Sequence, residues 1–308
     1  MSAYLHAFGA YLPERVVTNA ELSGRLNCSE EWIEKATGIR ERRWAEAETG
    51  VSDFAFEAAK ACLARAGVAA SQIGLLILAS GSAPPGFPGP AAMLAARLGL
   101  GTEPSIDLPM ASAGSLFGLV LAARLSETFG DVLVVASEKM SAVIEAHPLD
   151  RNTAILFGDG AGAALVSRRA GPWKILDCAL HSDGQFAGDL GYDCTSPLRM
   201  NGLSVILHAS RKLPAAIQEA LERSGIAVGD VSQLLVHQAN QNLLTRVAKA
   251  LGVAESRVFS NVARYGNTSS ASMLIAAAEW SAGKPSDGPI VLAAFGAGWH
   301  WGALVATQ

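Results

Sequence analysis

The chain has 308 residues, of which 50% are hydrophobic and 17% are charged. A chain of this length and apolar content can bury a large core, arranged as one large domain or two smaller ones. Its formal net charge is −4, which argues against the basic surface that a nucleic-acid partner would need. Its four cysteines show no Cys-x-x-Cys spacing, so we expect free thiols and no metal site.

The first residues lack a basic segment followed by an apolar run, and no apolar stretch is long enough to span a bilayer. We therefore expect a cytoplasmic protein without a membrane segment. Short apolar runs alternate with amphipathic helical patterns along the whole chain. This alternation predicts an α/β fold with a mixed sheet buried on both faces.

An Ala-rich helix, a glycine turn and an apolar strand occur in that order twice, at residues 54–78 and 213–236. The two turns read Arg-Ala-Gly-Val-Ala and Arg-Ser-Gly-Ile-Ala. This similarity predicts an internal duplication. We expect an N-terminal half of residues 1–170 and a C-terminal half of residues 171–308.

The first candidate site lies at Ser112, within the stretch Asp-Leu-Pro-Met-Ala-Ser-Ala-Gly-Ser. The pattern predicts a buried strand over 104–108 and an apolar helix over 116–129, which puts Ser112 at a helix N-terminus. Unpaired N–H groups and the helix dipole stabilise a negative atom there by about 0.3–2 kcal/mol. Serine is also a preferred N-cap, so this stretch alone favours a cap residue.

Two polar positions follow in the second half. His237 ends the apolar strand 231–236, and Asn267 precedes an apolar helix over 270–280. Strand ends of such sheets often carry chemistry, although Asn267 by itself also suits a turn. The other five histidines are predicted to be structural: His6, His147, His181, His208 and His300.

Two glycine-rich stretches have different interpretations. Residues 158–163 lack the spacing and the following helix of a dinucleotide loop, so we predict a tight turn where backbones pass closely, and no NAD. The stretch Gly-Ala-Gly at 296–298 follows the apolar run 290–294.

Together these motifs resemble the β-ketoacyl-[acyl-carrier-protein] synthase III family, from the first residues to the last. The resemblance implies a thiolase-like αβαβα five-layer sandwich built from two duplicated halves, acting as an acyltransferase of fatty acid or polyketide biosynthesis. Besides 107–115, the stretches that carry it are 9–14, 31–42, 156–163, 235–240, 264–272 and 294–302.

The resemblance implies a catalytic Cys, His and Asn, which fall here on Ser112, His237 and Asn267. The backbone N–H groups of Ser112 and Ala297 would form an oxyanion hole. An acyl group would pass from coenzyme A to the nucleophile, and malonyl on an acyl carrier protein would then lose CO₂ and attack the acyl-enzyme. The family further implies a homodimer and no cofactor beyond the coenzyme A thioester, which is a substrate.

Serine at the cysteine position leaves three hypotheses open, because a hydroxyl ionises far less readily than a thiol. An engineered Cys→Ser trap would bind substrate but turn over little. A natural serine enzyme would use His237 as its base, for acyl transfer without condensation or for unusual priming. A silent partner would support a second, active subunit. Pro109, Met110 and Ser115 also depart from the family pattern, which favours natural divergence over a single engineered change.

Coenzyme A binding is implied at several positions. Trp32 and Arg151 would sandwich the adenine, although both could equally be surface residues. Asn240 would lie near the pantetheine arm, and Phe87 would reach the acyl pocket across the dimer interface. The full predicted substrate-binding set is Trp32, Arg151, Asn240, Phe87, Ile206 and Gly202.

The resemblance also implies docking of the acidic carrier protein on Arg246 and Lys249. Three positions depart from the family in this region: Ala36 replaces an Arg, Cys28 a Thr and Asn242 a basic residue. Fewer cations offer fewer charge-assisted contacts to phosphate. We therefore expect fewer favourable contacts to coenzyme A and to the carrier protein than the family pattern implies.

Overall fold

The computed structural model describes residues 3–283 and 287–308. The strands in this part of the chain are β1 Tyr4–Tyr11, β2 Val16–Thr18, β3 Glu41–Arg43, β4 Ile73–Ala79, β5 Ser105–Leu108, β6 Asp131–Lys139, β7 Asp159–Ser167, β8 Trp173–Ser182, β9 Leu190–Gly191, β10 Arg199–Met200, β11 Gln233–Val236, β12 Ile290–Gly296 and β13 His300–Thr307. The α-helices are α1 Asn19–Leu26, α2 Glu30–Thr37, α3 Val51–Ala66, α4 Pro90–Leu98, α5 Gly114–Phe129, α6 Met140–Glu145, α7 Arg151–Ala154, α8 Gly202–Ser224, α9 Gln241–Leu251, α10 Val262–Tyr265 and α11 Ser272–Ala282.

Nine strands form one mixed sheet in the order β11-β12-β13-β8-β1-β7-β6-β4-β5. Strand β4 pairs in parallel with β5 and β6, and β11 pairs in parallel with β12, while the remaining neighbours are antiparallel. A short antiparallel pairing of β1 with β8, at Tyr4–Lys174 and Leu5–Trp173, joins the strands of the two halves. The predicted mixed sheet is confirmed.

Alternate residues of each strand face different helix layers, because successive side chains of a strand point to opposite faces. On β4, Leu75 and Ile77 pack in a central cluster with α5 and α11, whereas Leu76 and Leu78 pack with α3 and α4. Strands of the C-terminal half divide in the same way between the central helices and the outer pair α8 and α9. The fold is therefore the expected five-layer sandwich of thiolase-like proteins.

The repeated unit of the sequence has the same local structure in both places. Gly67 ends α3 with φ +63° and Gly225 ends α8 with φ +69°, a left-handed conformation that glycine adopts at little cost. One turn of 3₁₀ helix then leads into β4 or into the segment before β11. The division at residue 170 stays a prediction, since the central cluster contains residues from both sides of it.

Three predictions about local structure need correction. Strand β5 is not buried: Ile106 and Asp107 are exposed because β5 lies at the sheet edge. Residues 159–163 lie in β7 and not in a turn. Their glycines do allow close approach, since a Cβ on Gly162 would lie 2.5 Å from the Cβ of Leu274 on α11. The third incorrect prediction is the N-cap role of Ser112, since helix α5 begins at Gly114 and is preceded by Ala113.

No helix within residues 3–283 and 287–308 is both long enough and apolar enough to cross a membrane.

Candidate active site

Ser112 lies in a strained turn between β5 and α5. It is 7% exposed and has φ +62°, a conformation that costs a non-glycine residue about 1–3 kcal/mol and is often found at functional sites. Helix α5 begins at Gly114, and Ala113 precedes it without a side-chain cap. The predicted N-cap role of Ser112 is therefore wrong, because its φ is not that of a cap and its side chain caps no helix N–H.

The loop after β12 lies directly against this turn. A Cβ on Gly296 would lie 2.2 Å from the carbonyl oxygen of Ala111 and 3.1 Å from the Cβ of Ser112. Only glycine leaves room for such an approach at this position. The family resemblance predicts that this loop belongs to the site, and Ala297 and Ser112 both line one cavity.

That cavity has a volume of about 290 Å³. Its polar wall contains Ser112, Ser269 and His300. Most of the remaining wall is apolar, which suits a hydrocarbon chain more than a charged ligand. The apolar side chains are Pro109, Met110, Met140, Val143, Phe157, Leu190 and Leu198.

Ser269 connects the three predicted catalytic residues. Its Oγ accepts the backbone N–H of Ser112 at 3.0 Å, and its own N–H donates to Oδ1 of Asn267 at 2.9 Å. It is buried and also has a left-handed φ, +47°. The predicted oxyanion donor, the N–H of Ser112, is therefore already hydrogen-bonded in this structure.

His237 hydrogen-bonds to the backbone of Ser269 and does not line the cavity. Its Nδ1 is 2.6 Å from Oγ of Ser272, and that hydroxyl also accepts the N–H of Gln238 at 3.0 Å. Burial lowers the pKa of His237 to about 4, and the backbone of Ser269 offsets only part of this. At neutral pH the imidazole is therefore uncharged, able to donate from one nitrogen and to accept at the other.

Asn267 is buried and fixed through its backbone. Its N–H donates to the carbonyl of Leu156 at 2.8 Å, and its carbonyl accepts from the N–H of Gly158 at 3.1 Å. These bonds join the turn before α11 to the segment before β7. Like His237, Asn267 touches Ser269 but does not line the cavity.

A buried carboxylate accepts hydrogen bonds from two segments of the site, the loop after β4 and the turn before α11. Glu138, at 0% exposure, accepts from the N–H of Gly81 at 3.0 Å, from Oγ of Ser82 at 2.5 Å, and from both N and Oγ of Ser270 at 3.1 and 2.6 Å. Gly81 lines the cavity, and Ser270 follows Ser269. Glu138 could not be identified from the sequence, because an acidic residue at the end of β6 carries no signal of burial.

His300 and Ser269 are cavity residues that the sequence analysis did not single out. The sequence predicts a structural role for His300, but His300 lines the cavity, with Nδ1 2.7 Å from Oγ of Ser182 and its ring edge-on to Phe117. Burial lowers its pKa. Ser269 is one of three serines within four residues, and nothing in the pattern distinguishes it from Ser270 and Ser272.

The predicted coenzyme A residues are only partly brought together. The guanidinium carbon of Arg151 lies 5.0 Å from the ring centre of Trp32, so these two residues contact each other. Phe87 is 98% exposed and lines a second cavity that shares Gly81, Pro109 and Tyr192 with the first.

The other three substrate positions do not reach the Ser112 cavity. Gly202 and Ile206 lie in the first turns of α8 and are absent from its wall. The side chain of Asn240 caps α9, where it accepts the N–H of Leu243 at 2.9 Å. That bond gives Asn240 a structural role in this chain.

Helix α9 carries both residues predicted to dock the carrier protein. Arg246 and Lys249 are exposed on it. Asn242, one of the departures, donates from Nδ2 to the carbonyl of Ala36 at 2.8 Å and so ties α9 to α2.

Two family models match this chain. Residues 106–184 match 3-oxoacyl-[acyl-carrier-protein] synthase III, and residues 221–307 match the C-terminal part of the same enzyme. Curated β-ketoacyl-[acyl-carrier-protein] synthase III of Staphylococcus aureus (strain Newman) is 35% identical over 309 residues, which cover 99% of this chain and 98% of the relative.

Solved structures agree with these matches. The 3-oxoacyl-[acyl-carrier-protein] synthase III of Aquifex aeolicus VF5 superposes with a TM-score of 0.95 at 33% identity, covering 99% of this chain and 100% of that one. The synthase III of Thermus thermophilus gives 0.94 at 36% identity, with 99% of each chain covered. The priming β-ketosynthase of the R1128 polyketide pathway gives 0.91 at 32%, covering 99% and 96%.

The five layers, with a cavity where the two halves meet, define a thiolase-like condensing acyltransferase. Within that class, the chain belongs to the 3-oxoacyl-[acyl-carrier-protein] synthase III family, for which β-ketoacyl is the equivalent name.

Proposed function

We propose that this enzyme takes an acyl group from an acyl-coenzyme A thioester onto Ser112 and condenses it with malonyl on an acyl carrier protein. The observation that supports this most directly is the position of Ser112, strained and buried, in the wall of a largely apolar cavity beside Ala297. Such a cavity can hold the acyl chain while the thioester carbonyl lies at the Ser112 hydroxyl.

Acylation forms a bond from Oγ of Ser112 to the thioester carbonyl carbon and breaks the carbon–sulfur bond. The hydroxyl proton ends on the departing thiol of coenzyme A. A hydroxyl needs a base for this step, and a base with a pKa near 4, as in His237, lies well below the optimum for proton transfer at neutral pH. We therefore expect slow acylation and a long-lived ester.

Condensation begins when the malonyl thioester loses CO₂ and becomes an enolate. Its nucleophilic carbon then bonds to the acyl carbonyl carbon, the ester bond to Ser112 breaks, and the oxygen of Ser112 regains a proton. Neutral donors suit an enolate oxygen, because its charge develops only in the transition state. The uncharged imidazole of His237 and the amide of Asn267 are the proposed donors.

The second stage depends on two residues that lie outside the cavity wall. Neither His237 nor Asn267 lines the cavity, so both would have to be reached through movement at Ser269. That observation favours a second candidate function, in which Ser112 passes its acyl group to an acceptor without forming a carbon–carbon bond.

We propose a homodimer as the working assembly. Strand β5 is the edge of the sheet and carries exposed Ile106, and Phe87 nearby in the chain is 98% exposed. An open edge strand with large apolar side chains beside it is normally covered by a partner. The exposed Arg246 and Lys249 of α9 remain the proposed docking residues for the carrier protein.

Intact-protein mass spectrometry after incubation with short and medium acyl-coenzyme A thioesters tests the proposal. An acyl adduct that is absent in Ser112→Ala supports the first stage, and a 3-oxoacyl product on addition of malonyl-carrier protein supports the second. An adduct without that product favours simple acyl transfer. An adduct only in Ser112→Cys marks a disabled synthase, and no adduct in either protein contradicts the proposal and points to a silent partner.

A further inference from the structure

The imidazole of His237 is poorly placed to take a proton from Ser112. Its Nδ1 is 2.6 Å from Oγ of Ser272, and the ring also hydrogen-bonds to the backbone of Ser269. His237 lies outside the wall of the Ser112 cavity as well. A hydroxyl nucleophile requires an adjacent base, so a group other than His237 must supply it.

A second histidine, His300, lines the cavity that contains Ser112. Its Nδ1 is 2.7 Å from Oγ of Ser182, and no hydrogen-bond partner of its Nε2 occurs within residues 3–283 and 287–308. A Cβ added to Gly298, another residue of the cavity wall, would lie 2.6 Å from this Nε2. The unpartnered nitrogen therefore lies over the glycine turn that forms part of the cavity wall.

The β12–β13 hairpin brings His300 close to Ser112. His300 pairs with Gly296 at the end of the hairpin, and directly opposite residues of an antiparallel pair project from the same face with Cβ atoms about 4.5–5.5 Å apart. A Cβ on Gly296 would lie 3.1 Å from the Cβ of Ser112. His300 therefore projects from the face of the hairpin that contacts Ser112, and no side chain of residue 296 separates the two.

The contacts of His300 also set its orientation and its protonation. Ser182 is its partner in the sheet on the side away from Gly296, and the ring of Phe117 lies edge-on to the imidazole at 5.6 Å. When Nδ1 donates its proton to Ser182, Nε2 carries the lone pair that a base needs. Burial lowers the pKa of His300 below its usual value of 6.5, so the ring is uncharged at neutral pH.

We propose that His300 is the catalytic base that takes the proton of the Ser112 hydroxyl, with Ser182 as the residue that orients it. This inference rests on the proposed function, in which Ser112 is the acylated residue. As Oγ bonds to the thioester carbonyl carbon, its proton moves to Nε2, directly or through one water. The carbon–sulfur bond breaks, and Nε2 returns the proton to the departing thiolate of coenzyme A. Acylation is then no longer limited by a base whose pKa is near 4, as in His237.

The test uses a fluorophosphonate, which reacts with activated serine hydroxyls and carries no coenzyme A group. Oγ of Ser112 bonds to phosphorus, the phosphorus–fluorine bond breaks, and the base takes the hydroxyl proton as fluoride leaves. Labelling of Ser112 is followed by peptide mass spectrometry in the unsubstituted protein and in His300→Ala. General-base catalysis contributes about 10²–10⁴-fold, so we expect His300→Ala to label at least about 10²-fold more slowly.

Imidazole added to the solution should restore part of the rate that His300→Ala loses. The substitution opens a space at the cavity wall, and an imidazole molecule that enters it supplies the same nitrogen. A purely structural role of His300 would give no such rescue. The matched control is His181→Ala, whose side chain lies on the opposite face of β8 from Ser182 and stacks on Trp301. This control should label at the parent rate with or without imidazole.

A thiol at position 112 reports whether His300→Ala leaves the site intact. A thiol has an ordinary pKa of about 8.5, so at about pH 9 the Ser112→Cys protein forms a thiolate without a base. The thiolate bonds to the carbon of iodoacetamide and iodide leaves. Adding His300→Ala to this protein should therefore change its alkylation rate by less than about 10-fold, because no proton has to be removed during the reaction.

The expected result is slow labelling of His300→Ala, partial recovery with imidazole and near-normal alkylation of the thiol. An unreactive Ser112 in the unsubstituted protein, an unchanged rate in His300→Ala, a loss that imidazole does not restore, or an equal loss in thiol alkylation would overturn the inference. Incubation with acyl-coenzyme A tests the proposed function separately. Labelling that depends on His300 without an acyl adduct would contradict the acyl-coenzyme A substrate and still support His300 as the base.

Discussion

The backbone N–H of Ser112 and the hydroxyl of Ser269 form a hydrogen bond of 3.0 Å across 157 positions of sequence. One partner precedes α5 and the other precedes α11, the two central helices of the sandwich. Each has a left-handed backbone conformation. The candidate site is therefore built where corresponding turns of the two halves meet, and its geometry depends on both.

Loss of the buried carboxylate of Glu138 should strongly destabilise the protein. Glu138→Ala removes an acceptor from the N–H groups of Gly81 and Ser270 and from three serine hydroxyls, those of Ser80, Ser82 and Ser270. Each unsatisfied buried group costs about 1–3 kcal/mol, so losing several at once should lower the free energy of unfolding by at least about 4 kcal/mol, measured by urea denaturation. The control is Glu145→Ala, whose exposed ion pair with Arg25 is worth less than about 1 kcal/mol. Equal midpoints for the two variants would refute a stabilising role of the Glu138 hydrogen bonds.

Stability should fall as the pH is lowered from about 6.5 to about 4. Burial lowers the pKa of His237 from 6.5 to about 4, so across this window the unfolded chain binds a proton that the folded protein does not. Stability therefore rises with pH through the window, by about 3 kcal/mol in total, and is fully present above it. His237→Gln should flatten this part of the pH profile of unfolding, whereas His6→Gln, at a half-buried surface position, should retain it. A profile unchanged by His237→Gln would contradict the assignment.

Gly296→Ala should abolish acylation at position 112. The added Cβ would lie 2.2 Å from the carbonyl oxygen of Ala111 and 2.7 Å from the nitrogen of Ala113, so the turn that holds Ser112 must move. A displacement of about 1 Å can cost about 10²-fold in rate. The readout is the rate of acyl adduct formation, compared with Gly229→Ala, where an added Cβ meets nothing within 4 Å. Normal acylation of Gly296→Ala would show that this loop does not set the geometry of Ser112.

A charge on the exposed edge should weaken self-association. Ile106→Asp and Phe87→Asp each place a carboxylate on the apolar surface beside β5, and burying an unpaired charge at an interface is costly. Sedimentation velocity should show dissociation to monomers at concentrations where the parent is dimeric. Val16→Asp, on the separate β2–β3 ribbon, is the control and should stay dimeric. A monomeric parent protein would contradict the proposed homodimer.

Much of the fold could be predicted because its signals are local. Periodicity located β4, β12 and the central helix α5, and the repeated glycine turns at Gly67 and Gly225 revealed the duplication. The edge position of β5 could not be predicted, because its four residues, Ser-Ile-Asp-Leu, do not specify which strands lie beside it. Only the order of the strands in the sheet shows that β5 is at the edge.

The sequence by itself determined the motifs that predict one site for Ser112, His237, Asn267 and Ala297, because each lies in a stretch that resembles the synthase III family. Tertiary structure decided how they are connected. Ser269 and Glu138 lie in the centre of the hydrogen-bond network, yet a serine or a glutamate has no sequence pattern that reveals its long-range partners. Such partners are set by the packing of the two halves, which brings groups more than a hundred residues apart to within 3 Å.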